Sequence, residues 1–216
     1  MCLLSGGMDS FVSAAIAREE GRRIYALSLD YGQKNRRELR SAGRIARFLE
    51  AAAHKILRID LSWTHSALTD RALAIPRTVL SGIPATYVPA RNTVFLSLAL
   101  SYAESVNADA VFLGVNAIDY SGYPDCRPEY VRRFQKLVDV ATKKTVEGGT
   151  IRIVAPLVRM AKADIVKRGV ALGLDFALSW SCYHGGKQPC RHCASCILRA
   201  RGFKGAGLAD PLLQHS

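Results

Sequence analysis

Two groups of residues in this 216-residue chain have types and spacings able to do chemistry. The first is Ser5-Gly6-Gly7-Met8-Asp9-Ser10. Paired glycines let a backbone turn and approach an anion closely, and the free amides at a helix start then point at it. Ser5 and Ser10 add hydroxyl donors. The Gly-Lys-Ser/Thr ending of a Walker phosphate loop is missing, and Asp9 would repel a bare polyphosphate. Asp9 therefore suits Mg²⁺ or the orienting of loop amides. Read in isolation, the same residues also make a tight strand–helix turn with an Asp/Ser cap.

The second group is Cys182, Cys190, Cys193 and Cys196, spaced C-x7-C-x2-C-x2-C. A C-x2-C pair lets two thiolates reach one tetrahedral ion, and four such ligands close the site, leaving no open position for water. The expectation is structural Zn²⁺, with iron–sulfur ligation as the alternative. His184 and His192 lie near enough to substitute as ligands, although four cysteines suffice. Of the other two cysteines, Cys126 is expected to be an inert, partly buried thiol, since reactivity needs a lowered pKa.

Composition bounds what these groups can serve. Hydrophobic residues make up 49% and charged residues 22%, which excludes wholesale disorder. No window reaches the roughly 18 apolar residues of a membrane span, and the best, 94–103, is broken by serines. No secretory signal precedes the Ser-Gly-Gly turn, so a soluble, cytoplasmic protein is expected. In that setting clustered cysteines argue for a metal over disulfides. The formal net charge of +12 favours polyanionic partners such as nucleotides or nucleic acid. The basic residues are dispersed, however, which equally describes solvated helix faces.

Both groups must be positioned by regular elements, and apolar periodicity switches repeatedly between short β-rich runs and amphipathic stretches. Strands are expected ending at Leu4 and over 23–29, 55–60, 110–115 and 151–155. Helices are expected over 10–20, 38–50, 92–104 (capped by Asn92), 128–144 and 160–172. Five strands separated by helices predict an α/β fold, an open and mostly parallel five-stranded sheet. Residues 1–178 form this unit and 179–216 a small C-terminal zinc knuckle packed on it. Such sheets bind ligands beyond the carboxyl ends of their strands, where loops starting at Ser5, Tyr31, Asn116 and Leu157 would meet. Residues 61–89 hold Pro76, Gly82, Pro84 and Pro89 with no sustained period, and a loop that long is expected to be a lid or a substrate wall.

Leu4-Ser5-Gly6-Gly7-Met8-Asp9-Ser10 resembles the pyrophosphate (PP) loop of the ATP pyrophosphatases, which cleave ATP between its α and β phosphates. Lys162, after Pro156-Leu157, resembles that family's second phosphate-binding element. Further stretches narrow the resemblance: Asp30-Tyr31-Gly32-Gln33, Val88-Pro89-Ala90-Arg91-Asn92-Thr93, and Gly114-Val115-Asn116 with Asp119-Tyr120-Ser121-Gly122-Tyr123-Pro124-Asp125-Cys126-Arg127. With Trp180-Ser181-Cys182-Tyr183 and the three later cysteines, the ordered set is similar to the 7-cyano-7-deazaguanine synthases over nearly the whole chain.

The resemblance implies an adenine-nucleotide-binding PP-loop fold, usually a homodimer. It also implies a ligase that joins 7-carboxy-7-deazaguanine and ammonia through adenylated carboxylate and amide intermediates, releasing AMP and pyrophosphate. Ser5, Asp9 and Lys162 would be catalytic. ATP would lie against Leu4, Ser5, Gly6, Gly7, Met8, Asp9, Ser10, Arg91 and Lys162, with Mg²⁺. Arg91, Asn92, Asp119, Tyr120, Tyr123 and Asp125 would meet the substrate. Nucleic acid is not an expected partner on this reading. Two relatives of the chemistry stay open: attachment of a deazaguanine to a protein amine, and modification of tRNA.

Overall fold

A computed structural model describes residues 1–78, 82–116 and 122–213. Its five strands are β1 (Cys2–Leu3), β2 (Tyr25–Asp30), β3 (Ala53–Arg58), β4 (Ala110–Phe112) and β5 (Arg152–Val154). They pair entirely in parallel in the order β3-β2-β1-β4-β5, with Cys2 opposite both Ala26 and Phe112. The chain builds outward from β1 through β2 to β3, then returns to the other side of β1 for β4. That reversal opens a crevice at the carboxyl ends of β1 and β4, the place where parallel sheets take ligands.

Alternate strand residues face two cores. Leu4, Ala26, Ala110 and Phe112 pack with Phe11, Val12, Ile45 and Ile165, from helices α1 (Met8–Glu19), α2 (Arg37–Phe48) and α6 (Lys162–Ala171). Leu27, Leu29, Val111 and Leu113 pack with Leu96, Ala99, Phe134 and Val138, from α3 (Arg91–Ser105) and α4 (Pro128–Ala141). Strands buried on both faces read as short apolar runs, as in the Ala-Val-Phe of β4, while β2 breaks its run with the buried Ser28. A short α5 (Lys143–Val146) follows α4, and α7 (Ala194–Ala206) closes the fold, setting Phe203 against Phe176.

The ends of α1 and α6 share one device. The amide after the left-handed Gly21 bonds back to Ala17 O, and the amide after Gly173 bonds to Gly169 O, while each glycine's own amide bonds one turn back. This satisfies the orphan carbonyls and aims the chain onward.

Observed elements shift from expectation by no more than three residues at their ends. The expected helix over 128–144 divides, because Thr142 leaves helical geometry and caps the next turn by accepting from Thr145 N. The more instructive difference is at α3. Asn92 does not cap it; Ala90 does, in a left-handed conformation (φ 51°) that is uncommon outside glycine. Among the described residues no helix is long and apolar enough to cross a membrane.

Candidate active site and metal centre

The crevice is a cavity of about 320 Å³, lined by residues of the 4–10 loop, the ends of β2 and β4, the start of α3, Lys162, and the stretch from Trp180 to Arg199. Its floor is the glycine turn. Gly6 has φ +86°, and a Cβ there would stand 2.0 Å from the Glu38 carbonyl oxygen. The Trp180 amide donates to Gly6 O at 2.8 Å, so the turn is clasped from the opposite side. Gly7 is the N-cap of α1, and among the described residues no side chain caps that first turn. Instead the hydroxyls brace each other. Ser5 Oγ lies 3.0 Å from Ser10 Oγ, Ser10 Oγ donates to Gly7 O, and Gly7 N donates to Ser5 Oγ. Such a hydroxyl-braced helix start has the chemistry of an anion cradle, through the positive end of the helix.

Gly114, after β4, is forced by proximity. A Cβ on it would come within 2.5 Å of the Ser10 amide nitrogen. The two loops of the crevice thus touch backbone to backbone, and Asn116 Nδ2 donates to Met160 O to hold the second loop toward α6.

Lys162, first residue of α6, donates to Asp9 Oδ2 at 2.7 Å, with only 14% of its side chain exposed. Asp9 Oδ1 is buried with no hydrogen-bond partner among the described residues. An orphaned carboxylate oxygen beside an anion cradle fits a cation that arrives with its anion. The sequence-predicted loop and lysine therefore do meet, although 153 positions separate them.

Arg91 reaches into the cavity from the start of α3, donating to Tyr31 Oη at 3.3 Å and lying over the Tyr31 and Phe95 rings. Tyr123 lines the same wall and bonds Thr86 Oγ1 through its hydroxyl. Asn92 and Asp125 turn to each other. The Asn92 amide donates to Asp125 Oδ2 at 3.0 Å, and its side chain donates to Asp125 O and to Cys126 Sγ. The pair staples the turn of residues 124–126 to α3, which aims Tyr123. Asp119 and Tyr120 lie outside the described residues. The segment of residues 61–89 contributes a wall: Leu68 lines the cavity and its carbonyl accepts from Lys34 N.

Several lining residues carried no role in the sequence reading. Glu38 accepts from Gln33 Nε2, and burial pushes its carboxyl up to about 7. Burial also raises the Tyr31 phenol to about 12 and the Tyr183 phenol well above its usual range. All three lie against Arg91 in a low-dielectric wall, where ionisation of a neutral group is disfavoured. Cys126 is inert on the same ground, its thiol pushed up by burial to about 11.

The four C-terminal cysteines converge, with sulfurs all within 4.8 Å of one another. Cys190 N donates to Cys182 Sγ and Cys193 N donates to Cys190 Sγ. Hydrogen bonds from Cys193 and Cys196 draw the Cys182 thiol far below its usual range. Amides aimed at sulfur and four soft donors within reach of one another are compatible with metal binding. The cluster belongs to the cavity wall. Asn35 Nδ2 donates to Cys182 O, the Trp180 indole donates to the same oxygen, and the Arg37 guanidinium lies 3.9 Å over the Trp180 ring. Arg199, buried to 4%, pairs both ways with Asp210 and donates to Ser179 Oγ, fixing α7 to this wall.

Set beside known proteins, residues 1–207 match the family model described as the queuosine biosynthesis protein QueC. A protein of Pseudomonas syringae called 7-cyano-7-deazaguanine synthase is 54% identical over 212 residues, 97% of this chain and 94% of the relative. One of the same name from Methylobacillus flagellatus is also 54% identical, covering 97% and 93%. In fold, the chain resembles the U34-tRNA thiolase NcsA of Methanococcus maripaludis, solved with its [4Fe-4S] cluster. That likeness has a TM-score of 0.51 at 16% identity, over 93% of this chain and 61% of that one.

Proposed function

The chain belongs to the QueC family of queuosine biosynthesis proteins, and on that premise we propose that it makes 7-cyano-7-deazaguanine from 7-carboxy-7-deazaguanine, ammonia and ATP. The observation that carries this reading is the pairing of an uncapped helix start at Gly7 with the Lys162–Asp9 ion pair in one crevice. A carboxylate is a poor electrophile until it gains a leaving group, and ATP supplies one when the carboxylate oxygen takes its α-phosphate and pyrophosphate departs. Ammonia then displaces AMP to give the amide. A second ATP activates the amide oxygen, whose departure with AMP leaves the nitrile.

Each activation puts charge on phosphate oxygens, and here preorganised donors act with greatest effect. The amides of the 4–10 loop and the Lys162 ammonium are placed to hold that charge, with Ser5 and Ser10 fixing the loop. Asp9, with its free Oδ1, and the phosphates would hold Mg²⁺, which supplies Lewis-acid stabilisation when bound. Arg91 is placed to orient phosphate or the substrate carboxylate bidentately. Tyr31, Tyr123 and Tyr183 offer faces for the deazaguanine ring. Asn92 and Asp125 act by holding that wall.

Zn²⁺ fits the four thiolates, as a closed structural site that binds the C-terminal segment (179–216) to the ATP-pyrophosphatase unit (1–178). A cytoplasmic homodimer is part of the same reading. Leu137 and Val140 on α4 and Val146 on α5 are 51%, 72% and 72% exposed, an apolar face that a second copy would cover. The partners are then small molecules, with no role for nucleic acid.

The test is incubation of purified protein with Mg-ATP, ammonium and 7-carboxy-7-deazaguanine, with products followed by mass spectrometry. Substrate-dependent AMP with the nitrile is the expected result. AMP with only an adenylated or amide product would overturn the nitrile reading in favour of another nucleophile. No substrate-dependent AMP would overturn the small-molecule reading.

A further inference from the structure

On the outer side of the cysteine cluster, the ring nitrogens of His184 and His192 and the sulfur of Cys190 lie within 4.8 Å of one another. We propose that His184, Cys190 and His192 form a second, exchangeable site for a divalent transition metal, in which the Cys190 thiolate bridges to the ion held by the four cysteines.

Four features carry this. Cys190 is the most accessible of the four cysteines: Cys182, Cys193 and Cys196 are buried while Cys190 is only partly so. The two imidazoles lie beside that sulfur and beside each other, with ring centroids 5.4 Å apart. Their backbone is held. Asn35 Nδ2 donates to Cys182 O at 2.6 Å, and Arg37 Nη1 donates to Gly186 O and Lys187 O at 2.8 and 2.6 Å. Between Cys190 and His192, Arg191 adopts a left-handed φ of 66°, a turn that brings its two neighbours to the same side. Finally, a divalent ion with four thiolates carries a net charge of −2. A second cation at the outer sulfur neutralises that excess, and imidazole with thiolate is a donor set that suits zinc, cobalt or copper over magnesium or calcium. His184 is exposed and His192 is not buried, so an ion there exchanges with solvent, whereas one inside the closed four-cysteine site does not.

The experiment uses untagged, full-length protein with its four-cysteine site filled by zinc, titrated with Co²⁺ in the presence of a weak chelator. The wild type is expected to take up one further equivalent, seen as a sulfur-to-cobalt charge-transfer band and visible d–d bands. His184→Ala combined with His192→Ala should abolish that equivalent and its bands while zinc content stays at one per chain. His65→Ala, removing another exposed imidazole, should leave the bands unchanged. A wild type that binds no cobalt, or a double variant that keeps the bands, would overturn the proposal. The zinc content of each sample reports separately on the inner site, so loss of that site is not mistaken for loss of the outer one.

Discussion

Lys162 Nζ sits 2.7 Å from Asp9 Oδ2, so the first residue of one helix neutralises the second residue of another across the mouth of the crevice. The contact gives both side chains a fixed direction while Asp9 Oδ1 has no partner among the described residues. Lys162→Met and Asp9→Asn should each lower AMP formation about 100- to 1,000-fold, the usual effect of removing one preorganised charge contact. Lys162→Met should also lower stability in urea melts, because it leaves a partly buried carboxylate uncompensated. Combining the two substitutions should recover that stability without recovering turnover. A double variant less stable than Lys162→Met alone would show that the pair is not coupled.

Gly6 and Gly21 both have left-handed φ, and replacing each with alanine separates strain from collision. At Gly21 nothing lies within 4 Å of the new Cβ, so only the conformational penalty of about 1 kcal/mol applies. At Gly6 the Cβ meets the Glu38 carbonyl oxygen at 2.0 Å, and the loss should reach about 3 kcal/mol or more. Equal losses in denaturant melts would refute the collision.

What was legible beforehand follows the range of the interaction. The four clustered cysteines and the glycine turn each lie close together in sequence, so spacing alone pointed to their convergence and to the turn. The alternation of strand and helix periods announced the α/β class. Sheet order carried no such mark, because nothing within β4 records that it lies beside β1. The same holds for Trp180 against Gly6 and for Asn35 against Cys182, contacts made only by the folded chain. Asn92 misled as a cap because Asn favours that role, yet it lies in the first turn of α3, two residues past the Ala90 cap, bonded to Asp125. Glu38 reads as an ordinary acidic residue in a first helical turn, and only burial makes it otherwise.

That burial gives the nucleotide-free protein a pH signature. Glu38 titrates near 7 in the fold against 4.5 when free, so the folded state holds an extra proton between those values. Its favourable contribution is therefore full below about pH 4.5 and is lost as pH rises through about 7. Glu38→Gln should remove this limb from urea-derived stability measured across that interval. A variant with the slope of the wild type would count against Glu38 as its source.

Arg199 and Asp210 are buried to 4% and 8%, and their bidentate contact anchors α7. Asp210→Ala should cost about 3–5 kcal/mol, since it strands a buried guanidinium. Arg199→Lys should fall short of full stability, because a point charge cannot reproduce the fork. Chemical denaturation distinguishes these outcomes from the loss below about 1 kcal/mol expected of a surface pair.

Removing the metal from the cysteine cluster should register at Trp180, which is 2% exposed and whose indole N–H donates to Cys182 O. A strong chelator should shift its fluorescence to longer wavelength and weaken ATP binding, as the clasp on Gly6 loosens. Unchanged emission after confirmed metal loss would show that the wall stands without the ion.

The clasp between Trp180 N and Gly6 O also sets an order of events during synthesis. At about 5–20 residues per second, the glycine turn leaves the peptidyl-transferase centre roughly 10–30 s before its partner exists. Through that interval β1 awaits β4 as well, since Cys2 pairs with Phe112. A ribosome-bound chain stalled before Trp180 therefore carries the anion-binding turn without the backbone contact that closes it. On the proposed reading, nucleotide capture is expected only once Trp180 has joined the chain and closed the turn.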